Sequence, residues 1–253
     1  GTFSGTGVTG TNFNPSTAGV GGPYTITYTY TNGNGCTGTA TTSISVTALP
    51  VVSINPIASS VCVNAASIPL SGNPAGGTFS GTGVTGSNFN PSTAGVGGPY
   101  TITYTYTNGN GCTGTATTTI TVNALPVVSI NPIASSVCVN AASIPLSGNP
   151  AGGTFSGTGV TGTNFNPSTA GVGGPYTITY TYTNGNGCTG TATTSISVTA
   201  LPVVSINPIA SSVCVNAAAV PLSGNPAGGT FSGTGVTGTN FNPSTAGVGG
   251  PYT

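Results

Sequence analysis

The sequence predicts an all-β protein, a tandem array of small Ig-like β-sandwich domains with a 76-residue repeat. Three observations predict it. The six cysteines, Cys36, Cys62, Cys112, Cys138, Cys188 and Cys214, form two interleaved series whose members recur every 76 residues. Segment 49–124 differs from 125–200 only at Ser87/Thr163, Thr119/Ser195, Thr121/Ser197 and Asn123/Thr199. Within a repeat, Tyr100, Ile102, Tyr104 and Tyr106 alternate with Thr101, Thr103, Thr105 and Thr107, the period of a strand with one apolar face. No stretch has helical periodicity, and a solenoid with one coil per repeat would recur at roughly 20–30 residues instead.

The elements of the repeat at 49–124 follow in order. Val51-Val52-Ser53-Ile54 reads as a first strand, Ser59–Val63 as a second and Ile68-Pro69-Leu70-Ser71 as a third. Phe79 and Val84 sit in short strands between Gly-rich turns. Asn88-Phe89-Asn90-Pro91 and Ala94-Gly95-Val96-Gly97-Gly98 then lead into the long strand Tyr100–Thr107. Asn108-Gly109-Asn110-Gly111 supplies left-handed conformations for a tight hairpin, and Thr115–Val122 returns with Ala116, Thr118, Ile120 and Val122 on one side. About seven short strands bounded by turns favour a small sandwich.

The run Gly1–Thr25 recurs unchanged at Gly229–Thr253, and Leu49-Pro50 restarts the chain after a strand-like run. The expected division is a partial repeat over 1–48, complete repeats over 49–124 and 125–200, and a partial repeat over 201–253. The sequence thus reads as a window on a longer polymer. The strands missing from the two partial repeats would come from chain beyond it or from an adjoining subunit.

Composition excludes most chemistry. The chain has no Lys, Arg, Asp, Glu or His, so general acid–base catalysis lacks its usual groups, and the many Ser and Thr hydroxyls lack a base to activate them. Calcium and magnesium need carboxylates, and catalytic zinc needs imidazole or carboxylate beside thiolate. No CxxC pair offers a four-cysteine zinc site. Phosphate neutralisation needs Lys or Arg, which removes nucleic acid as a partner. No apolar run approaches the roughly 18 residues of a membrane span. The opening Gly1-Thr2-Phe3-Ser4-Gly5 is no signal peptide, so export would be encoded outside this stretch. The expectation is no enzyme, no cofactor, no metal, no nucleic acid and no membrane insertion.

Each repeat carries two cysteines 50 residues apart, the second beside the hairpin turn. In a small sandwich such a pair would join early and late strands, and closing a 50-residue loop would contribute about 4 kcal/mol. The expected bonds are Cys62–Cys112 and Cys138–Cys188, leaving Cys36 and Cys214 without partners. Cross-repeat pairing such as Cys36 with Cys62, and free thiols, are the alternatives. Persistent disulfides imply an oxidising, extracellular compartment.

The run Gly76-Gly77-Thr78-Phe79-Ser80-Gly81-Thr82-Gly83-Val84, then Phe89-Asn90-Pro91, Tyr100-Thr101-Ile102-Thr103-Tyr104 and Asn110-Gly111-Cys112, resembles Ig-like repeats of giant secreted adhesins of gliding Bacteroidota. The terminal hairpin is similar to that of PKD-type domains. The resemblance implies a cell-surface adhesin or stalk. The lack of charge departs from such repeats and puts calcium-dependent stiffening in doubt. An uncharged surface and Lys-free strand edges favour self-association, and near-identical repeats give near-identical interfaces, so the expected product is an extracellular fibre of one continued chain or of identical subunits. The competing reading is a surface-binding module that engages ice or glycan through its Thr and Tyr strand faces. The Tyr face has a plainer use as core, and the Thr face as strand former.

Overall fold

The structure, a computed structural model, describes residues 1–253. It comprises two compact units. One is Gly1–Val127 together with Tyr182–Gly190, the other Val128–Thr181 together with Thr191–Thr253. The chain is all-β, with four single-turn helices of four residues each.

In the first unit, residues 1–48 form β1 (Thr2–Ser4), β2 (Val8–Thr9), β3 (Asn12–Phe13), α1 (Pro15–Ala18), β4 (Gly21–Thr31) and β5 (Thr37–Val46). Their sheets have the orders β1-β4-β5 and β2-β3. Residues 49–124 hold a fuller set. It comprises β6 (Ser53–Ile54), β7 (Ser60–Cys62), β8 (Ile68–Pro69), β9 (Gly72–Asn73), β10 (Thr78–Ser80), β11 (Val84–Thr85), β12 (Asn88–Phe89), α2 (Pro91–Ala94), β13 (Gly97–Thr107) and β14 (Thr113–Asn123).

The Tyr/Thr alternation becomes the long hairpin β13–β14, in which Ile102 faces Thr118 and Tyr104 faces Ala116. β10 adds antiparallel to one edge, with Phe79 opposite Tyr104, and β7 adds parallel to the other, with Cys62 opposite Asn123. The second layer has the order β11-β12-β8. Ile102, Ile120 and Val122 of the four-stranded sheet meet Phe89 and Leu70 of the other layer in one buried cluster. The apolar parity of the hairpin therefore settles which face turns inward.

Turn chemistry explains the connections. Asn90 caps α2, its Oδ1 accepting from the Ser92 amide at 3.1 Å and the Ser92 hydroxyl at 2.8 Å, and Pro91 starts the turn where an amide would have no partner. At the hairpin tip, Asn108 Oδ1 accepts from the amides of Asn110 and Cys112, both at 3.0 Å. Only Gly111 of this loop has a positive φ, 78°. The tip is thus a loop folded around an asparagine side chain, with one left-handed residue where the sequence reading expected several.

Tyr104 is 1% exposed. Its hydroxyl donates to the Pro74 carbonyl at 2.5 Å and accepts from the Gly77 amide at 2.8 Å. Gly72 lies flat on the ring, for a Cβ there would stand 2.5 Å from it. The buried Tyr face is core, which leaves the Thr face outside. Tyr104→Phe removes the common partner of two backbone groups and should destabilise the unit by about 1–3 kcal/mol, read from chemical denaturation.

The second unit repeats this plan. Its four-stranded sheet orders Ser136–Cys138, Thr189–Thr199, Gly173–Thr183 and Thr154–Ser156, and its core gathers Leu146, Phe165, Ile178, Ile196 and Val198. Residues 201–253 form a smaller set. Val220–Pro221, Asn240–Phe241 and Val236–Thr237 make one sheet, and Ser205–Ile206 pairs with Gly224–Asn225. Ser212–Cys214 and Thr230–Ser232, which correspond to β7 and β10, form no strand.

Candidate functional site

Two features stand out on this fold: a covalent staple and a hydroxyl face. The staple differs from the expected pairing. The structure bonds Cys62 to Cys188, with Cα atoms 5.5 Å apart and 126 residues between them, and leaves Cys36, Cys112, Cys138 and Cys214 as free thiols. Neither Cys62–Cys112 nor Cys138–Cys188 forms.

Strand register supplies the reason. Cys62 lies beside Asn123 at the far end of β14, whereas Cys112 lies at the hairpin tip, just before Thr113. An extended strand of 11 residues spans about 35 Å, and a disulfide needs Cα atoms within about 7 Å. Two cysteines of one repeat therefore stand at opposite ends of the same strand. Cys188, at the corresponding tip one repeat later, belongs to the first unit with Cys62, and it is fully buried. The neighbouring Asn184 donates its side-chain amide to the Ala124 carbonyl at 3.3 Å, which helps hold the tip in place.

The first unit also contains the same seat without its bond. Cys112 Sγ lies 4.0 Å from the Thr47 carbonyl, and Thr47 is the counterpart of Asn123 one repeat earlier. Beside the tip, a Cβ on Gly114 would collide with the Pro50 carbonyl oxygen and stand 2.7 Å from Val52 Cγ2, so glycine permits the close approach. Sequence spacing gives the period of the cysteines but not which end of the hairpin each occupies.

The hydroxyl face lies on the outer side of the hairpin. Thr101, Thr103, Thr105 and Thr107 stand opposite Thr119, Thr117, Thr115 and Thr113, and β10 extends the array with Ser80 beside Thr103 and Thr78 beside Thr105. The last rung is linked by a 2.9 Å hydrogen bond between Thr107 and Thr113 hydroxyls. Strand geometry spaces these groups at about 4.8 Å across strands and about 6.7 Å along them. No buried side-chain polar atom lacks a hydrogen-bond partner, and no three potential metal-binding side chains of the Cys, His, Asp and Glu types cluster. No helix is long and apolar enough to cross a membrane.

No family model matches the chain, and no curated protein matches it. Among solved structures it is similar to a Ca2+-stabilized adhesin that helps an Antarctic bacterium reach out and bind ice, at 19% identity and a TM-score of 0.36, over 83% of this chain and 66% of that one. It is also similar to a structure concerned with host cell surface retention of a 1.5-MDa bacterial ice-binding adhesin, at 20% identity and a TM-score of 0.30, over 70% of this chain and 74% of that one. The chain thus spans just under two thirds of the first structure's length. TM-scores this low mark a likeness short of a common fold.

Proposed function

We propose that the chain is a segment of an extracellular structural fibre or adhesin stalk, built of Ig-like sandwich repeats and without catalytic activity. The observation that carries this reading is the Cys62–Cys188 bond, which ties one sequence repeat to the next. A disulfide closed within a single domain stabilises that domain alone. One that links successive repeats carries tension past the non-covalent contacts between them, which is what a stalk under load requires. The reading is supported by near-identical repeats, by charge-free strand edges suited to side-by-side association, and by a composition that lacks the groups of acid–base catalysis. It places the chain outside the cell, where disulfides persist.

Negative-stain images of the native material test it. Filaments with a regular beaded spacing of roughly 30–40 Å per repeat are expected from the strand lengths. Dispersed single particles would refute the fibre.

A second reading is favoured by the Thr face, whose regular outward hydroxyls suit a repeating surface such as ice or glycan. Under it, Thr103→Tyr with Thr117→Tyr would abolish ice adsorption or glycan retention while leaving the melting temperature nearly unchanged.

A further inference from the structure

We propose that residues 201–228 of one copy of this chain complete the half-repeat formed by residues 1–48 of a second copy, by strand exchange locked with disulfides. It rests on the fibre reading and deepens it by naming the contact. The partner is argued from the molecule's own repeats, where the same two pieces are seen joined.

The acceptor is residues 1–48. β14 carries β7 along its outer edge, and Thr189–Thr199 carries Ser136–Cys138, but the equivalent edge of β5 is bare. β12 pairs with β8 as well as β11, whereas β3 pairs with β2 alone. The apolar side chains beneath are correspondingly uncovered. Tyr28 is 37% exposed and Ile44 41%, while their counterparts Tyr104 and Ile120 are 1% and 0%.

The donor is residues 201–228, which contain what the acceptor lacks. Ser212-Val213-Cys214 repeats the sequence of β7 but lies exposed and outside any strand. A hollow of about 720 Å³ lies beside Ile206, Leu222, Gly224, Pro226 and Phe231. Gly224 corresponds to Gly72, which stacks on the Tyr104 ring, yet the nearest ring to Gly224 is Phe231 at 3.6 Å. The hollow is thus the seat of a Tyr104 equivalent, and Tyr28 of the second copy is that residue. Its hydroxyl would donate to the Pro226 carbonyl, as Tyr104 donates to Pro74.

The exchange preserves what it displaces. Val220–Pro221 now pairs with Asn240–Phe241, and Gly229–Thr253 is identical to Gly1–Thr25, so pairing with Asn12–Phe13 of the second copy replaces that ladder residue for residue. The long β4–β5 hairpin is the net gain. Ser212, Val213 and Cys214 then lie along Ser45, Val46 and Thr47, in the register of β7 on β14.

The thiols corroborate this register. Cys214 arrives beside Thr47, next to which Cys112 already sits. Copies offset by the 228 residues between the identical runs also place Cys36 of the second copy 126 residues after Cys138 of the first, the separation of the observed bond. All six cysteines are then paired. Chemically, the Cys214 thiolate attacks oxidised glutathione and expels one glutathione thiolate. The Cys112 thiolate of the second copy then attacks the Cys214 sulfur of this mixed disulfide and expels the other. Two protein thiols are oxidised and one glutathione disulfide is reduced to two thiols.

The test mixes equal amounts of unlabelled and nitrogen-15-labelled full chain, denatured, refolded together in a glutathione redox buffer, and digested with chymotrypsin without reduction. The chymotryptic peptides around Cys112 and Cys214 are each unique in the sequence, so their bond is identified by mass. Covalent multimers are expected, with mixed-isotope Cys112–Cys214 pairs as abundant as the two like-isotope pairs together. Cys112→Ser should remove the covalent link yet leave multimers detectable by light scattering, because the strand exchange remains. Only like-isotope pairs, meaning closure within one chain, or monomers throughout would overturn the proposal. Filaments in the native material alongside such monomers would sink the exchange and leave the fibre reading standing.

Discussion

Adding a reductant to the dilute protein should lower its melting temperature by on the order of 15 °C, while moving from pH 7 to pH 4 should leave it nearly unchanged. The Cys62–Cys188 bond closes a loop of 126 residues, for which chain-entropy estimates give about 5 kcal/mol. In a folded unit of this size, each kcal/mol moves the midpoint by roughly 2–4 °C. The pH arm has the opposite expectation because stability depends on pH only where folded and unfolded states bind different numbers of protons. The side chains that titrate between these values, Asp, Glu and His, are absent. Salt has no formal side-chain charge to screen and should have equally little effect.

Single substitutions separate the observed staple from the one the spacing suggests. Cys62→Ala should reproduce the reductant's shift, whereas Cys112→Ala, at a free half-buried thiol, should change stability by less than about 0.5 kcal/mol. A large loss from Cys112→Ala and none from Cys188→Ala would mean that the bond closes within one repeat. A melting temperature that falls many degrees at pH 4 would mean that bound charged groups hold the fold.

The parts of the fold legible in the sequence are those fixed by local chemistry. Strict Tyr/Thr alternation sets the inward face of Gly97–Thr107, and the return strand matches it pair by pair. Asn90-Pro91 reads as a helical cap once Asn and Pro stand together ahead of Ser92. The staple is not legible, because it depends on where the three-residue strand Ser60–Cys62 docks. Nothing in Ser-Val-Cys distinguishes the tip end of the hairpin from its base, or parallel from antiparallel pairing. Its parallel seat beside Asn123 decides the partner of Cys62 and places it an entire strand away from Cys112. The Thr face lies between these cases. Its residues are evident in sequence, while its extension onto Thr78 and Ser80 needs the third strand.

Phe89→Ala should destabilise its repeat by about 3–5 kcal/mol, and Phe13→Ala, the same change in the same local sequence, by about half as much or less. Both phenylalanines follow Asn, precede Asn-Pro and pair with a valine, Val84 or Val8, in equivalent two-residue strands. Local propensity therefore cancels between them. The difference is the surroundings. Phe89 is fully buried between the sheets, with Leu70 and Ile102 in its cluster, and β8 pairs along its strand. Phe13 lies 6.5 Å from the Tyr24 ring and is only half-buried, with no strand on its other side. A large-to-small change loses both the transfer free energy and the contacts around the cavity, and an open site relaxes into the space while a closed one cannot. Denaturant unfolding of the two variants at low protein concentration, followed by tyrosine fluorescence, measures both losses. Equal losses would mean that residues 1–48 already hold a complete core. A Phe13→Ala loss that grows towards that of Phe89→Ala as the protein is concentrated would show the open half of that core being covered by another copy.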